Sequence, residues 1–142
     1  MRFWDSSALI ARFIDEPQSA LAREWHREDP AVTVWVMSRV EIASAIARRR
    51  RDRPALANFF DRVSQDILRA SEDWLAIADV LAVRDHAERI VRSHPLRAAD
   101  ALQLGAAIVA AEAEPASLEF ATLDRRLADA AAREGFQILS PR

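Results

Sequence analysis

The chain has 142 residues, 51% hydrophobic and 30% charged, a balance that predicts one globular domain over 1–142 and excludes a disordered chain. Its net charge is −2, all 20 positive side chains are arginine, and cysteine is absent. Disulfides, zinc–thiolate sites and cysteine nucleophiles are thereby excluded. A cytoplasmic location is expected, and any contact with nucleic acid must come from a local arginine patch rather than from overall charge.

Met1–Asp5 reads as a short strand, and Ser6–Ile14 follows at helical spacing through Leu9, Ile10 and Phe13. Asp5 comes before any apolar run long enough for a signal peptide, so none is expected. Pro17 suits the first turn of a second helix through Glu28, which Asp29-Pro30 closes. The β-branched, apolar run Ala31–Val36 predicts a buried strand. Ser38 opens a helix to about Arg51, and another runs from Pro54 to about Ser71. Trp74–Ala78 is a weaker third strand, and Asp79–Ser93 is helical.

Pro95 precedes an alanine-rich helix over Arg97–Glu112. The apolar stretch there, Ala98–Ala113, is too short to span a bilayer and holds Asp100, Gln103 and Glu112, so no membrane association is expected. Leu118–Leu123 is a strand, Asp124–Glu134 a helix, Gly135 its left-handed cap and Phe136–Leu139 the last strand. Strands alternating with helices predict a single α/β domain, a central parallel β-sheet flanked by helices on both faces.

Absences narrow the chemistry. Two glycines, Gly105 and Gly135, build neither a P-loop nor a dinucleotide fingerprint, and no G-x-S-x-G elbow exists. The histidines His26, His86 and His94 lack ligand spacing and read as exposed helical residues. Carboxylates remain, and oxygen-only sites favour Mg²⁺ or Mn²⁺ over zinc.

Four acids carry two readings each. Asp5 and Asp124 end the first and fourth strands, where sites form in open α/β sheets, and each also reads as the N-cap of the next helix. Glu41 completes a capping box in Ser38-Arg39-Val40-Glu41. Asp100 lies in a helix apolar on most sides, where a partly buried carboxylate must be paired, hydrogen-bonded or metal-bound. Its competing reading is a first-turn acid favoured by the helix dipole.

The segments Phe3-Trp4-Asp5-Ser6-Ser7-Ala8-Leu9, Ser38-Arg39-Val40-Glu41, Arg97-Ala98-Ala99-Asp100-Ala101-Leu102-Gln103-Leu104 and Ala121-Thr122-Leu123-Asp124-Arg125-Arg126-Leu127 resemble the four signature segments of PIN-domain ribonucleases, in the family's order. In length the chain is most similar to the VapC-type toxins of toxin–antitoxin pairs. The resemblance implies a PIN-like fold in which Asp5, Glu41, Asp100 and Asp124 gather to hold Mg²⁺ or Mn²⁺, with Ser7 and Thr122 supporting them. It also implies hydrolysis of RNA through metal-activated water, leaving 5′-phosphate and 3′-hydroxyl ends. The implied partners are a second copy in a homodimer and a VapB-like antitoxin.

Two rival readings are a PIN nuclease of RNA processing without an antitoxin, and a PIN-like RNA- or protein-binding module that has lost catalysis. The complete acid quartet counts against the second. Arg48, Arg49, Arg50 and Arg51, with Arg53, form the densest positive run. It is either a solvated helix terminus favoured by the dipole or a track for RNA phosphate. Leu9, Phe13 and Leu21 beside Phe59 and Phe60 are either core or a groove for an antitoxin helix. Trp4 is assigned to the core.

Overall fold

The structure is a computed structural model describing residues 1–112 and 114–141; Ala113, at the end of the apolar stretch, and Arg142 lie outside the described residues. Five strands, β1 (Arg2–Trp4), β2 (Val32–Trp35), β3 (Leu75–Ile77), β4 (Glu119–Ala121) and β5 (Gln137–Leu139), form one parallel sheet in the order β3-β2-β1-β4-β5. Phe3 stands in register with Thr33 on one side and Phe120 on the other. The chain builds outward from β1 to β2 and β3, then returns to the other side of β1 for β4 and β5. The order therefore reverses between β1 and β4, which opens a crevice at their carboxyl ends.

Seven helices cover this sheet: α1 (Ser6–Phe13), α2 (Ser19–Glu28), α3 (Ser38–Asp52), α4 (Ala57–Ala70), α5 (Val80–Ser93), α6 (Ala98–Ala110) and α7 (Arg125–Arg133). Alternation along the strands divides the core in two. Phe3 joins Val83, Ile90, Leu104, Phe120 and Leu127 beneath α5, α6 and α7. Trp4 joins Leu9, Trp25, Val34, Ile42 and Phe60 beneath α1 to α4. Helices thus cover both faces, as the strand–helix alternation predicts. Trp4 is fully buried and meets Trp25 edge-on with ring centroids 6.3 Å apart, which gives it a packing role.

Packing also decides the apolar residues of the first half. Leu9 and Phe60 are buried, and Phe13, Leu21 and Phe59 pack partly buried against the same cluster. Burial of each such side chain stabilises the domain by about 1.5–3 kcal/mol. They pack into the core, while Phe13, Phe59 and Phe60 also line surface clefts beside α4.

The ends of the elements show what local sequence controls. Gly135, at φ +101°, closes α7: its N–H bonds to Ala132 O and the Phe136 N–H to Ala131 O, so two orphan carbonyls are satisfied. Pro17 stands in the turn before α2, whose first residue is Ser19; the Ser19 hydroxyl accepts from the Glu16 N–H instead. Gly105 is required by a close approach, because a Cβ there would stand 2.9 Å from the carbonyl oxygen of Val83 on α5. No helix among the described residues is long and apolar enough to cross a membrane.

Candidate functional site

Asp5 follows β1, Asp124 follows β4, Glu41 lies in the first turns of α3 and Asp100 in the first turn of α6. All four line one groove of about 430 Å³ at the carboxyl ends of the strands, together with Ser6, Ser7, Gln103, Arg48 and Arg49. The topology explains the gathering: the chain reverses between β1 and β4, and α3 and α6 begin beside that switch point.

Asp5 is the best-held of the four. It caps α1 by accepting from the Ala8 N–H, as the cap reading predicts. It also accepts from the Ser7 hydroxyl on Oδ1 and from the Thr122 hydroxyl on Oδ2, both at 2.7 Å. Ser7 and Thr122 in turn accept from the backbone N–H groups of Leu123 and Asp124, so both hydroxyls are oriented toward the carboxylate. The two supporting positions implied by the resemblance therefore stand in contact with the first acid. Burial pushes the Asp5 carboxyl up to about 6; the bonds from Ser7, Thr122 and Ala8 oppose this, and the charge of Asp124 adds to it.

The capping box at Glu41 does not form. Met37 occupies the N-cap of α3 without a side-chain cap bond, so Ser38 is already helical and Glu41 falls one position too late to reach back. The Glu41 carboxylate turns instead into the groove and accepts from Gln103 Nε2 at 2.9 Å. Burial raises its pKa above the ordinary carboxylate value, the Gln103 bond lowers it, and the charge of Asp100 raises it again. Asp100, half-buried, makes no hydrogen bond or ion pair among the described residues. Its pKa is raised by burial first and by Asp124 second, against a lowering by Arg97. Asp124 caps α7 by accepting from the Leu127 N–H, as the cap reading predicts, and also lines the groove.

Of the arginine run, Arg48 and Arg49 line the groove, and Arg49 pairs with Glu16 at 3.0 Å on its rim. Arg50 faces away and holds Asp61 of α4 through two hydrogen bonds, and Arg51 is exposed and does not line the groove. The histidines also depart from expectation. His94 is nine-tenths buried beyond the end of α5, with Nε2 2.8 Å from the Glu134 carboxylate, and His26 and His86 are half-buried. None of the three lines the groove.

Neither a family model nor a curated protein matches this chain. The fit of a metal rests on the donors themselves. Every ionisable ligand in the groove is a carboxylate, the set suited to Mg²⁺ or Mn²⁺. Burial and mutual repulsion raise three of the four, a cost that a divalent cation relieves. Among the described residues no three His, Cys, Asp or Glu side chains stand close enough together to hold a metal ion, so the acids surround one groove rather than one point. The sequence gives no sign of Gln103, because a glutamine within a helix is ordinary; its contacts reach residues that lie far away in the chain.

Proposed function

We propose that this protein is a metal-dependent endoribonuclease of the PIN-domain kind, acting as the toxin of a toxin–antitoxin pair. One observation carries the reading: acids from four separate sequence segments line a single groove at the topological switch point, with neutral hydroxyls rather than cations holding the first of them. Asp5, Glu41, Asp100 and Asp124 would hold Mg²⁺ or Mn²⁺. When bound, such an ion acidifies water and stabilises charge on the phosphoryl oxygens. Ser7 and Thr122 keep Asp5 ionised and fixed in direction. Arg48 and Arg49 meet the RNA phosphates at the rim, where Arg49 exchanges Glu16 for the substrate.

The partners follow from the same surfaces. A groove of four carboxylates is a strong receptor for an antitoxin guanidinium when metal is absent. Leu75 on the edge strand β3, with Val80 and Leu81 just after it, remains exposed, an apolar edge suited to a second copy in a homodimer.

The experiment compares wild type with Asp100→Asn, chosen because Asp100 supports no hydrogen bond of the fold. With Mn²⁺, purified wild type should cut RNA to 5′-phosphate products, and EDTA should abolish cutting. Asp100→Asn should fold normally and lose roughly a hundredfold or more of the rate, since even the residues that orient metal ligands carry effects of that size. Induced in cells, wild type should arrest growth and the variant should not. Cutting at the wild-type rate in EDTA, or by the variant, removes the reading.

A further inference from the structure

The groove is assembled from helices distant in sequence, and one buried side chain joins three of them. Gln103 of α6 is 1% exposed, and its Nε2 lies 2.9 Å from each of three oxygens: Ser6 Oγ on α1, Ser38 Oγ on α3 and Glu41 Oε1 on α3. An amide nitrogen has two protons, so only two of the three oxygens can receive one. A carboxylate is the stronger acceptor, so Glu41 takes the first. The serine left without an amide proton turns its own hydroxyl elsewhere. The opposite amide orientation would set Oε1 against the Glu41 oxygen, two acceptors face to face.

This orientation has a cost. Gln103 Oε1 is buried with no hydrogen-bond partner among the described residues. Leaving a buried acceptor unsatisfied disfavours the fold, and an apolar side chain of equal length would avoid it. The donor end of Gln103 therefore does something that packing alone does not ask for.

We propose that Gln103 is a positioning residue of the groove: its amide fixes the Glu41 carboxylate, and so sets how α3 presents that acid to the acid carried by α6. The metal-holding purpose of this arrangement rests on the nuclease reading, whereas the contact itself does not. Gln103 gathers α1, α3 and α6 at the point where each contributes to the groove. Its loss leaves Glu41 in place but free to rotate.

The test uses Mn²⁺ alone as probe, on the full chain, in a four-protein cycle of wild type, Gln103→Met, Glu41→Gln and the double variant. Methionine keeps the length and removes both the donor and the orphan oxygen. Gln103→Met removes the orphan oxygen but also the donor to Ser38 and Glu41, so it should fold and melt near or modestly below wild type without metal. Its Mn²⁺ affinity, read by titration calorimetry, should fall roughly ten- to hundredfold. RNA cleavage should recover toward the wild-type rate at saturating Mn²⁺, a shift in metal requirement rather than in kcat. In the Glu41→Gln background the change at 103 should weaken Mn²⁺ no further.

Unchanged Mn²⁺ affinity in Gln103→Met, or effects that add in the double variant, overturns the proposal. Should Gln103→Met not fold, Gln103→Leu replaces it. Failure of both would assign Gln103 to the fold alone and overturn the proposal equally. Mn²⁺ binding without RNA cleavage removes the nuclease reading and leaves the positioning role standing. If wild type binds no Mn²⁺, the nuclease reading falls, and metal-free melting of the same four proteins decides the contact: coupling between 103 and 41 upholds it, additivity overturns it.

Discussion

Arg2 and Asp5 stand at opposite ends of β1, both buried, and the protein treats their charges in opposite ways. At the amino end, Arg2 is bonded by Glu119 and Glu28 and donates to the carbonyl of Trp25. Burial pulls its guanidinium down, but the two carboxylates outweigh this and its pKa ends above the ordinary value. At the carboxyl end, Asp5 receives three hydrogen bonds from neutral groups and no cation, and burial leaves it at about 6. One end spends opposite charge on stability. The other gathers like charge, and among the described residues no cation is bonded to it.

Arg2→Met breaks the comparison at its stable end and should have the largest effect. It leaves Glu119, a third exposed, and Glu28 without their partner and takes the buried guanidinium donor from the Trp25 carbonyl, which keeps only the Asp29 N–H. A loss of about 3 kcal/mol is expected from urea unfolding, toward the low end for buried pairs because the glutamates still reach water. An unchanged midpoint would mean the cluster adds nothing to the fold.

The pH dependence of the metal-free protein tests the other end. The folded pKa of Asp5 lies above its unfolded value of 3.8, so the folded state binds the proton more tightly. Stability contributed by Asp5 therefore rises as pH falls through about 6 toward 3.8, and its ionisation is fully costly above that window. Between pH 7 and pH 5 the gain should be about 1 kcal/mol relative to Asp5→Asn, in which this titration is absent. Equal pH slopes in the two proteins would show that Asp5 does not titrate here. Glu41 and Asp100 shift in the same direction, so Asp5→Asn should keep a part of the slope.

The smallest effects separate the arginines. Arg48→Ala or Arg49→Ala should weaken RNA binding without altering its sequence preference, and should reduce the salt dependence by about one ion. Arg50→Ala and Arg51→Ala should leave binding unchanged, because those side chains do not line the groove. Equal salt slopes for all four would return the whole run to the solvated helix end.

The strands, the α7 cap at Gly135 and the placement of Asp5 and Asp124 after parallel strands were legible because each is encoded within a few neighbouring residues. The capping-box alternative for Glu41 failed because the N-cap falls one residue earlier, at Met37, and Gln103, far along the chain, donates to the carboxylate. His94 was misread for a similar reason: its context is polar, but Glu134, at the end of α7, holds its ring in a buried contact. Gln103 itself could not be singled out, since its importance lies in three oxygens that only the fold assembles. Short-range chemistry reads from the sequence; long-range partners of buried polar groups do not.

Gly105 gives the groove a dependence on a place it does not touch. A single added methyl would press on the Val83 carbonyl, and no rotamer change relieves a clash with backbone. The two helices would have to part. Since α6 also carries Asp100 and Gln103, moving it retunes the spacing of the acids from beneath, so α5 acts as the stop against which the groove is gauged. Gly105→Ala would then disturb the groove as a change among the acids would, although the added methyl faces α5.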